Sequence, residues 1–334
     1  MPPISSATHA LVDGVCYPDA WKRLYRHDSV EEVEPLYLST RWSAVCEHGP
    51  MLVTLKGAGL ISQASQNDHT PLYRSLSLLS SQASTQSLSK HLRRFITFNS
   101  EAGQEQLLRF ADPLVTRHWL RSYGDELPAI LMGPINTWWV ADWTPNWAGQ
   151  RAQKWQAFQA SHHPESTPAA QAPDFPPMGH QQYAALKAVA RWQLKERLTD
   201  YFKQHVPNAW QRLEGDHGRW LDERLDDAIA WGASTERQLA IWVDLSLHWG
   251  KALMTADDGL YAQWARHSSD QVCLPRQEQL YALDAWSRTP AAGASQRTQN
   301  YGSPSQAPLS VDEEANGSRM FRHRNAMPPL MKPP

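Results

Sequence analysis

The sequence predicts an α+β protein, with an N-terminal lobe of mixed strands and helices, an all-α lobe after it, and a disordered C-terminal tail. Three observations carry this. Short apolar stretches of strand character dominate before residue 145, whereas apolar residues recur at helical spacing after residue 180. Residues 161–177 (SHHPESTPAAQAPDFPP) hold five prolines and no period, the composition of a linker. From Thr289 onward Ala, Ser, Gln, Gly and Pro prevail, and such a segment cannot bury enough apolar area to offset its ordering entropy. The expected divisions are 1–150 for the mixed lobe, 151–177 for the linker, 178–288 for the helical lobe and 289–334 for the tail.

In the first lobe, His9 to Gly14 reads as a strand closed by the Asp13-Gly14 turn, and Tyr17 to Tyr25 as a helix with Trp21, Leu24 and Tyr25 at helical spacing. Glu34 to Ser39 is a second strand candidate, and Met51 to Leu55, after the His48-Gly49-Pro50 turn, a third. Arg74 to Ser81 (RSLSLLSS) reads as a partly buried strand. A helix is expected over Ser87 to Phe98, a strand over Leu107 to Phe110, and a helix over Leu114 to Tyr123. Ile130-Leu131-Met132 and Ile135 to Ala141, separated by Gly133-Pro134, complete the sheet.

In the second lobe Tyr183, Leu186, Ala190, Leu194, Leu198, Tyr201 and Phe202 trace one helix that Pro207 ends. Leu213 to Ile229 is the next, with Gly232 placed as its C-terminal cap. Thr235-x-x-Gln238 is a capping box opening a third helix to about Met254, and Glu236 suits its positive N-terminus. Helices over Gly259 to His267 and Gln277 to Trp286 close the bundle.

Composition excludes several classes. With 32 basic and 34 acidic residues and a net charge of −2, the chain lacks the basic excess of a nucleic-acid binder. Cys16, Cys46 and Cys273 form no C-x-x-C pair, so neither a zinc site nor a disulfide framework is expected, and a reducing cytoplasm is the expected location. No secretory signal and no 18-residue apolar stretch is present, so neither a membrane span nor general export is expected. A nucleophile elbow, a P-loop and an H-E-x-x-H pair are all missing. Gly57-Ala58-Gly59 reads as a turn with no helix opening there, and His162-His163 as linker residues too divergent to chelate a metal. Asp226-Asp227 and Asp257-Asp258 read as a solvated helix face and a helix start. No cofactor is expected. Asp13, Asp112 and Asp142 each border a strand, so they are either turn-forming aspartates or a carboxylate site at one sheet edge.

The order of the N-terminal motifs is more specific than any one of them. Leu11-Val12-Asp13-Gly14, Tyr17-Pro18, Pro35-Leu36-Tyr37 and His48-Gly49-Pro50 with Leu52 and Leu55 come first. Ser80-Ser81, His91-Leu92, Phe110-Ala111-Asp112-Pro113 and Gly133-Pro134-Ile135 follow. This series, over about residues 7–145, resembles the adaptor chaperones of bacterial type VI secretion, a conserved domain of unknown function encoded beside VgrG spike genes. The stretch from Met178 to Gly250, ending in Leu247-His248-Trp249-Gly250, is similar to the lobe that follows in those proteins. The resemblance implies a cytoplasmic protein that is not an enzyme. It would bind a toxic effector and load it onto the VgrG or PAAR spike, with neither nucleic acid nor membrane as partner. The alternative is a hydrolase or ligand-binding enzyme with the carboxylate site at the sheet edge.

Sixteen tryptophans exceed what two modest cores bury with ease, and Trp is enriched at binding hot spots. Adjacent rings on a strand face opposite sides, so one of Trp138 and Trp139, with Trp143 and Trp147 nearby, is expected to be exposed and to contact a partner. Residues 287–334 carry six basic and three acidic residues, +3, leaving −5 for the rest of the chain. Within them, Arg319 to Lys332 (RMFRHRNAMPPLMK) sets Phe321, Leu330 and three methionines among cations, the form of a short docking motif. Deleting residues 316–334 is expected to leave thermal stability unchanged while weakening capture of effector or spike several-fold, as measured by pull-down of each partner.

Overall fold

The computed structural model of the chain describes residues 6–66, 70–125, 127–149, 153–160 and 175–292. Its centre is a six-stranded antiparallel sheet. The strands are β1 (His9–Asp13), β2 (Val30–Pro35), β3 (Pro50–Leu55), β4 (Leu76–Ser80), β7 (Thr137–Trp143) and β8 (Gln153–Phe158), in the order β2-β3-β1-β4-β7-β8. β5 (Thr97–Asn99) and β6 (Glu105–Leu107) form a separate hairpin. Consecutive residues are buried along β1, β3, β4 and β7, so both faces of the central sheet are covered.

The helices of this lobe are α1 (Ala20–Tyr25), α2 (Gly59–Ser65), α3 (Pro71–Arg74), α4 (Thr85–Arg93), α5 (Pro113–Arg121) and α6 (Ala129–Met132). α5 starts where the Asp112 carboxylate accepts the Leu114 N–H at 2.9 Å and Pro113 fills the first helical position.

The helical lobe comprises α7 (His180–His205), α8 (Pro207–Gln211), α9 (His217–Trp231), α10 (Glu236–Trp249), α11 (Leu260–His267) and α12 (Arg276–Ser287). Between residues 181 and 255 every regular element is a helix, so the α+β division stands. The Thr235 capping box forms, with the Gln238 N–H donating to Thr235 Oγ1 at 3.3 Å and the Thr235 N–H to Gln238 Oε1 at 3.1 Å. Gly232 ends α9 at φ 119°, a left-handed conformation that favours glycine.

α7 joins the lobes. Tyr183, Leu186, Val189 and Trp192 in its first half pack on the sheet core, whereas Leu198 and Phe202 pack with Trp210, Leu221, Leu225 and Val243. The single expected stripe is therefore divided between two cores, and Tyr201 is left 41% exposed.

Several expectations are corrected. The second strand lies at Val30–Pro35 rather than 34–39, because an edge strand tolerates the polar sequence VEEVEP and its proline. Leu36 and Tyr37 are apolar because they turn into the core. A helix, α2, does open at Gly59: its N-terminal Leu60 N–H donates to Ser29 Oγ at 2.9 Å, a cap from a distant residue that local sequence does not show. The strand expected at 107–110 is the hairpin strand Glu105–Leu107, and the helix expected through Phe98 stops at Arg93 before β5. Ile130 to Met132 form a helical turn, not a strand, bounded by Pro128 and Gly133. β8 lies inside the segment expected as linker, so the sheet extends past residue 150. The expected tail is described only to Ala292; Phe321 and Leu330, like His162-His163, lie outside the described residues.

Gly133 has φ 51° and ψ −118°, and a Cβ there would lie 2.4 Å from the His91 ring, whose Nε2 is 2.9 Å from the Leu131 carbonyl. Gly133→Ala is expected to lower unfolding free energy by about 2 kcal/mol or more, from combined backbone strain and overpacking, measured by urea denaturation.

Candidate functional site

Asp13 ends β1, and its carboxylate first serves its own turn, accepting the Val15 and Cys16 N–H groups at 2.9 Å each. Gly14 allows that turn to lie on residues 47–49, since a Cβ there would meet the Glu47 carbonyl at 2.5 Å. Arg109, from the segment after β6, reaches Asp13 at 2.9 Å, Asp112 at 3.4 Å and the Cys16 sulfur at 3.3 Å. Two of the three singled-out carboxylates thus share one arginine, with both acids buried.

Burial, reinforced by the Asp13 charge, pushes Asp112 up to about 6, against the pull of Arg109 and the α5 N-terminus. Burial, then the two carboxylates, pushes the Cys16 thiol far up, the opposite of an activated nucleophile. Tyr37 is likewise pushed up to about 12, chiefly by burial. Around this cluster, Val15, Leu38, Val45 and Leu107 are exposed on the loops that follow β1 and β2 and on the hairpin.

Asp142 sits elsewhere. By register it lies in the same row as Ser75 and Asp13, two strands from β1, which is roughly 10 Å. It pairs with Arg117 and, at 3.1 Å, with Arg121, both on α5. The sheet edge therefore holds two acid–arginine clusters rather than one three-carboxylate site.

The Arg117 side chain is fully buried, and its guanidinium lies 5.0 Å from the ring centroids of both Trp143 and Trp192. Arg74 covers Trp143 as well, at 5.3 Å. Neighbouring His118 faces Trp192 and is lowered to about 4 by burial and then by Arg117 and Arg121, so its ring is neutral near pH 7. Tyr73 donates to the Lys154 carbonyl at 2.6 Å and to the Asp142 carbonyl at 3.1 Å, tying α3 to β7 and β8.

The expectation of an exposed tryptophan on β7 is corrected. Trp138 is 0% exposed and Trp139 and Trp143 are each 5% exposed. The rings do face opposite sides of the sheet, but both sides are covered; Trp138 packs near Phe95 and Trp143 against Tyr73 and two arginines. All three rings are buried.

Sequence reading passed over Arg109, Arg117 and Arg121, and weighed Cys16 only as a zinc or disulfide candidate. Two signals were present: Arg109 stands three residues before Asp112, and Arg117 and Arg121 are four apart on one helix face. Trp192 carried none, because its role depends on how α7 docks. Among the described residues no three His, Cys, Asp or Glu side chains gather as metal ligands, and no helix is long and apolar enough to cross a membrane.

Residues 8–127 match the family model described as Domain of unknown function (DUF4123). The matched segment runs from before β1 to just past α5, and contains the whole Asp13–Arg109–Asp112 cluster. Arg117 and Arg121 also lie within it, while their partners Asp142 and Trp192 lie beyond. No curated protein and no solved structure matches the chain.

The raised Asp112 gives a signed expectation. In the folded protein Asp112 holds its proton up to about pH 6, and in the unfolded chain only to about 3.8. Its contribution to stability is therefore greatest below pH 3.8 and is lost as pH rises through about 6. Asp112→Asn keeps an acceptor for the Leu114 N–H but cannot ionise. The difference in Tm, variant minus parent, is expected to become more positive between pH 4 and pH 7, as measured by differential scanning fluorimetry.

Proposed function

We propose that the protein is a cytoplasmic adaptor that binds a toxic effector and loads it onto the VgrG or PAAR spike of a type VI secretion apparatus. The observation that carries this reading is the match of residues 8–127 to the domain of unknown function, on the stretch where the ordered motif series resembles that adaptor family. The chemistry of the cluster supports it. Asp13 and Asp112 are spent on their own backbone and on Arg109, and Asp142 on Arg117 and Arg121. These motif residues thus read as a scaffold that holds the loops bearing Val15, Leu38, Val45 and Leu107, apolar side chains suited to a protein contact.

A second reading, a hydrolase using Asp13 and Asp112, draws on one observation: the two carboxylates flank Arg109 and Asp112 is pushed up to about 6. Cys16 offers it no activated thiol, since burial and the two carboxylates shift it towards the neutral form.

The experiment is affinity purification of the tagged full-length chain from its native host, with mass spectrometry of what accompanies it. Recovery of a large toxin together with a VgrG protein is expected. Asp13→Asn and Asp112→Asn are expected to change capture only in proportion to any change in expression or stability. A hydrolytic activity of the purified chain that either substitution abolishes without loss of fold would replace the adaptor reading by the enzymatic one.

A further inference from the structure

The two edges of the central sheet are built differently. β2 carries a bulge between Val30 and Glu32, Pro35 at its end and three glutamates, the devices that keep an edge from pairing with a further chain. β8 has none of these: Gln153 to Phe158 pair with β7 in unbroken register, without proline or glycine. One lysine, Lys154, is its sole charge.

Register also fixes which main-chain groups of β8 are left over. The Asp13 N–H bonds the Ser75 carbonyl, and from there alternation across β4 and β7 turns Lys154, Gln156 and Phe158 toward β7. Trp155 and Ala157 therefore point their N–H and C=O groups outward. Among the described residues no strand pairs along that outer side; Leu127 bridges Ala160, beyond the end of β8. Ala157 is exposed there, and Trp155 is half-buried with its ring edge-on to Tyr73 at 5.4 Å.

We infer that the outer edge of β8 takes up an extended segment of a partner protein as an added strand, bonded to the Trp155 and Ala157 main chain, with an acidic side chain opposite Lys154. A row of outward N–H and C=O groups is matched by another extended chain, so the ladder itself names the kind of occupant. Lys154 names its charge. It is exposed and forms no ion pair among the described residues, and Asp142, across the ladder, is committed to Arg117 and Arg121. Segments of this chain fit less well. Residues 161–174 hold Pro164, Pro168 and Pro173, which leave no run longer than four residues to pair. A second copy of β8 brings a lysine and no acid, and residues 319–332 bring four cations and no acid. That the added strand belongs to an effector or spike rests on the adaptor reading; the chemistry of the edge does not.

The test uses the full-length chain and a fluorescein-labelled eight-residue peptide alternating Val with Glu and Thr, read by fluorescence polarisation. Three peptides serve as comparisons: the same one with Lys for Glu, the same one with prolines at its two central positions, and residues 319–332 of this chain. Saturable binding of the acidic peptide is expected, with the others at least ten-fold weaker. Ala157→Pro removes an outward N–H and spares the bonds to β7, and is expected to weaken binding at least ten-fold with Tm unchanged. Lys154→Glu, an exposed change, is expected to reverse the preference between the acidic and lysine peptides; should Ala157→Pro fail to fold, this reversal decides alone. No saturable binding, binding indifferent to both substitutions, or equal binding of any comparison peptide overturns the inference. So does a dimer in sedimentation that Ala157→Pro dissolves, because a second copy then occupies the edge. An effector or VgrG protein captured equally well by Ala157→Pro overturns it and leaves the adaptor reading in place. If the acidic peptide binds as expected but no effector or spike accompanies the purified chain, the edge stands and the adaptor reading falls.

Discussion

A buried cation, Arg117, sits where the two lobes meet. Arg117 projects from α5 into a space closed on two sides by indoles, Trp143 from the sheet and Trp192 from α7, with Asp142 as its counter-ion. A guanidinium taken out of water is tolerated only where charge and π-faces replace its hydration. The arrangement therefore holds only when β7, α5 and α7 are all in place. Removing Asp142 leaves a desolvated charge without its counter-ion, which is destabilising. The apolar contacts along the first half of α7 supply buried area, and Gln182 and Tyr183 add hydrogen bonds to the Ser122 and Asn99 carbonyls.

The same helix begins in the other acid–arginine cluster. Asp112 caps α5 and faces Arg109, and Arg109 reaches Asp13 at the end of β1. α5 thus connects two sheet strands at one level, β1 through Arg109 and β7 through Arg117. The carboxylates that a catalytic reading requires are the ones this connection consumes. The loops resting on the first cluster are held by Gly14 and Gly49, whose missing side chains allow residues 47–49 and the Tyr37 ring to approach closely.

The two lobes differ in how charge is used. In the sheet lobe each of the two clusters holds a deeply buried charge, Asp13 and Asp112 in one and Arg117 in the other, and its role is positional. In the helical lobe Arg191, Lys195, Asp222 and Asp226 form a partly exposed network between α7 and α9, where screening by solvent leaves each pair a small share of stability. Packing there rests on two modest clusters that meet at α10, with Trp242 facing one and Val243 the other.

Sequence alone determined the features that depend on near neighbours. The β1, β3 and β4 strands, the start of α5 at Asp112-Pro113, the capping box at Thr235 and the stop at Gly232 are local chemistry, legible from spacing and residue type. The change from mixed to helical structure was legible for the same reason. What only the tertiary structure decided involves partners far apart in the chain. Ser29 caps a helix that begins at Gly59, and a polar run of glutamates becomes an edge strand because β3 is there to pair with it. One of Trp138 and Trp139 was expected at a surface, yet both are buried because layers cover both faces of the sheet. Asp13 and Asp112 meet while Asp142 does not, because the position of each arginine depends on the packing of a whole helix or hairpin. Periodicity reports which side of an element a residue occupies; what lies on that side is settled by the assembled layers.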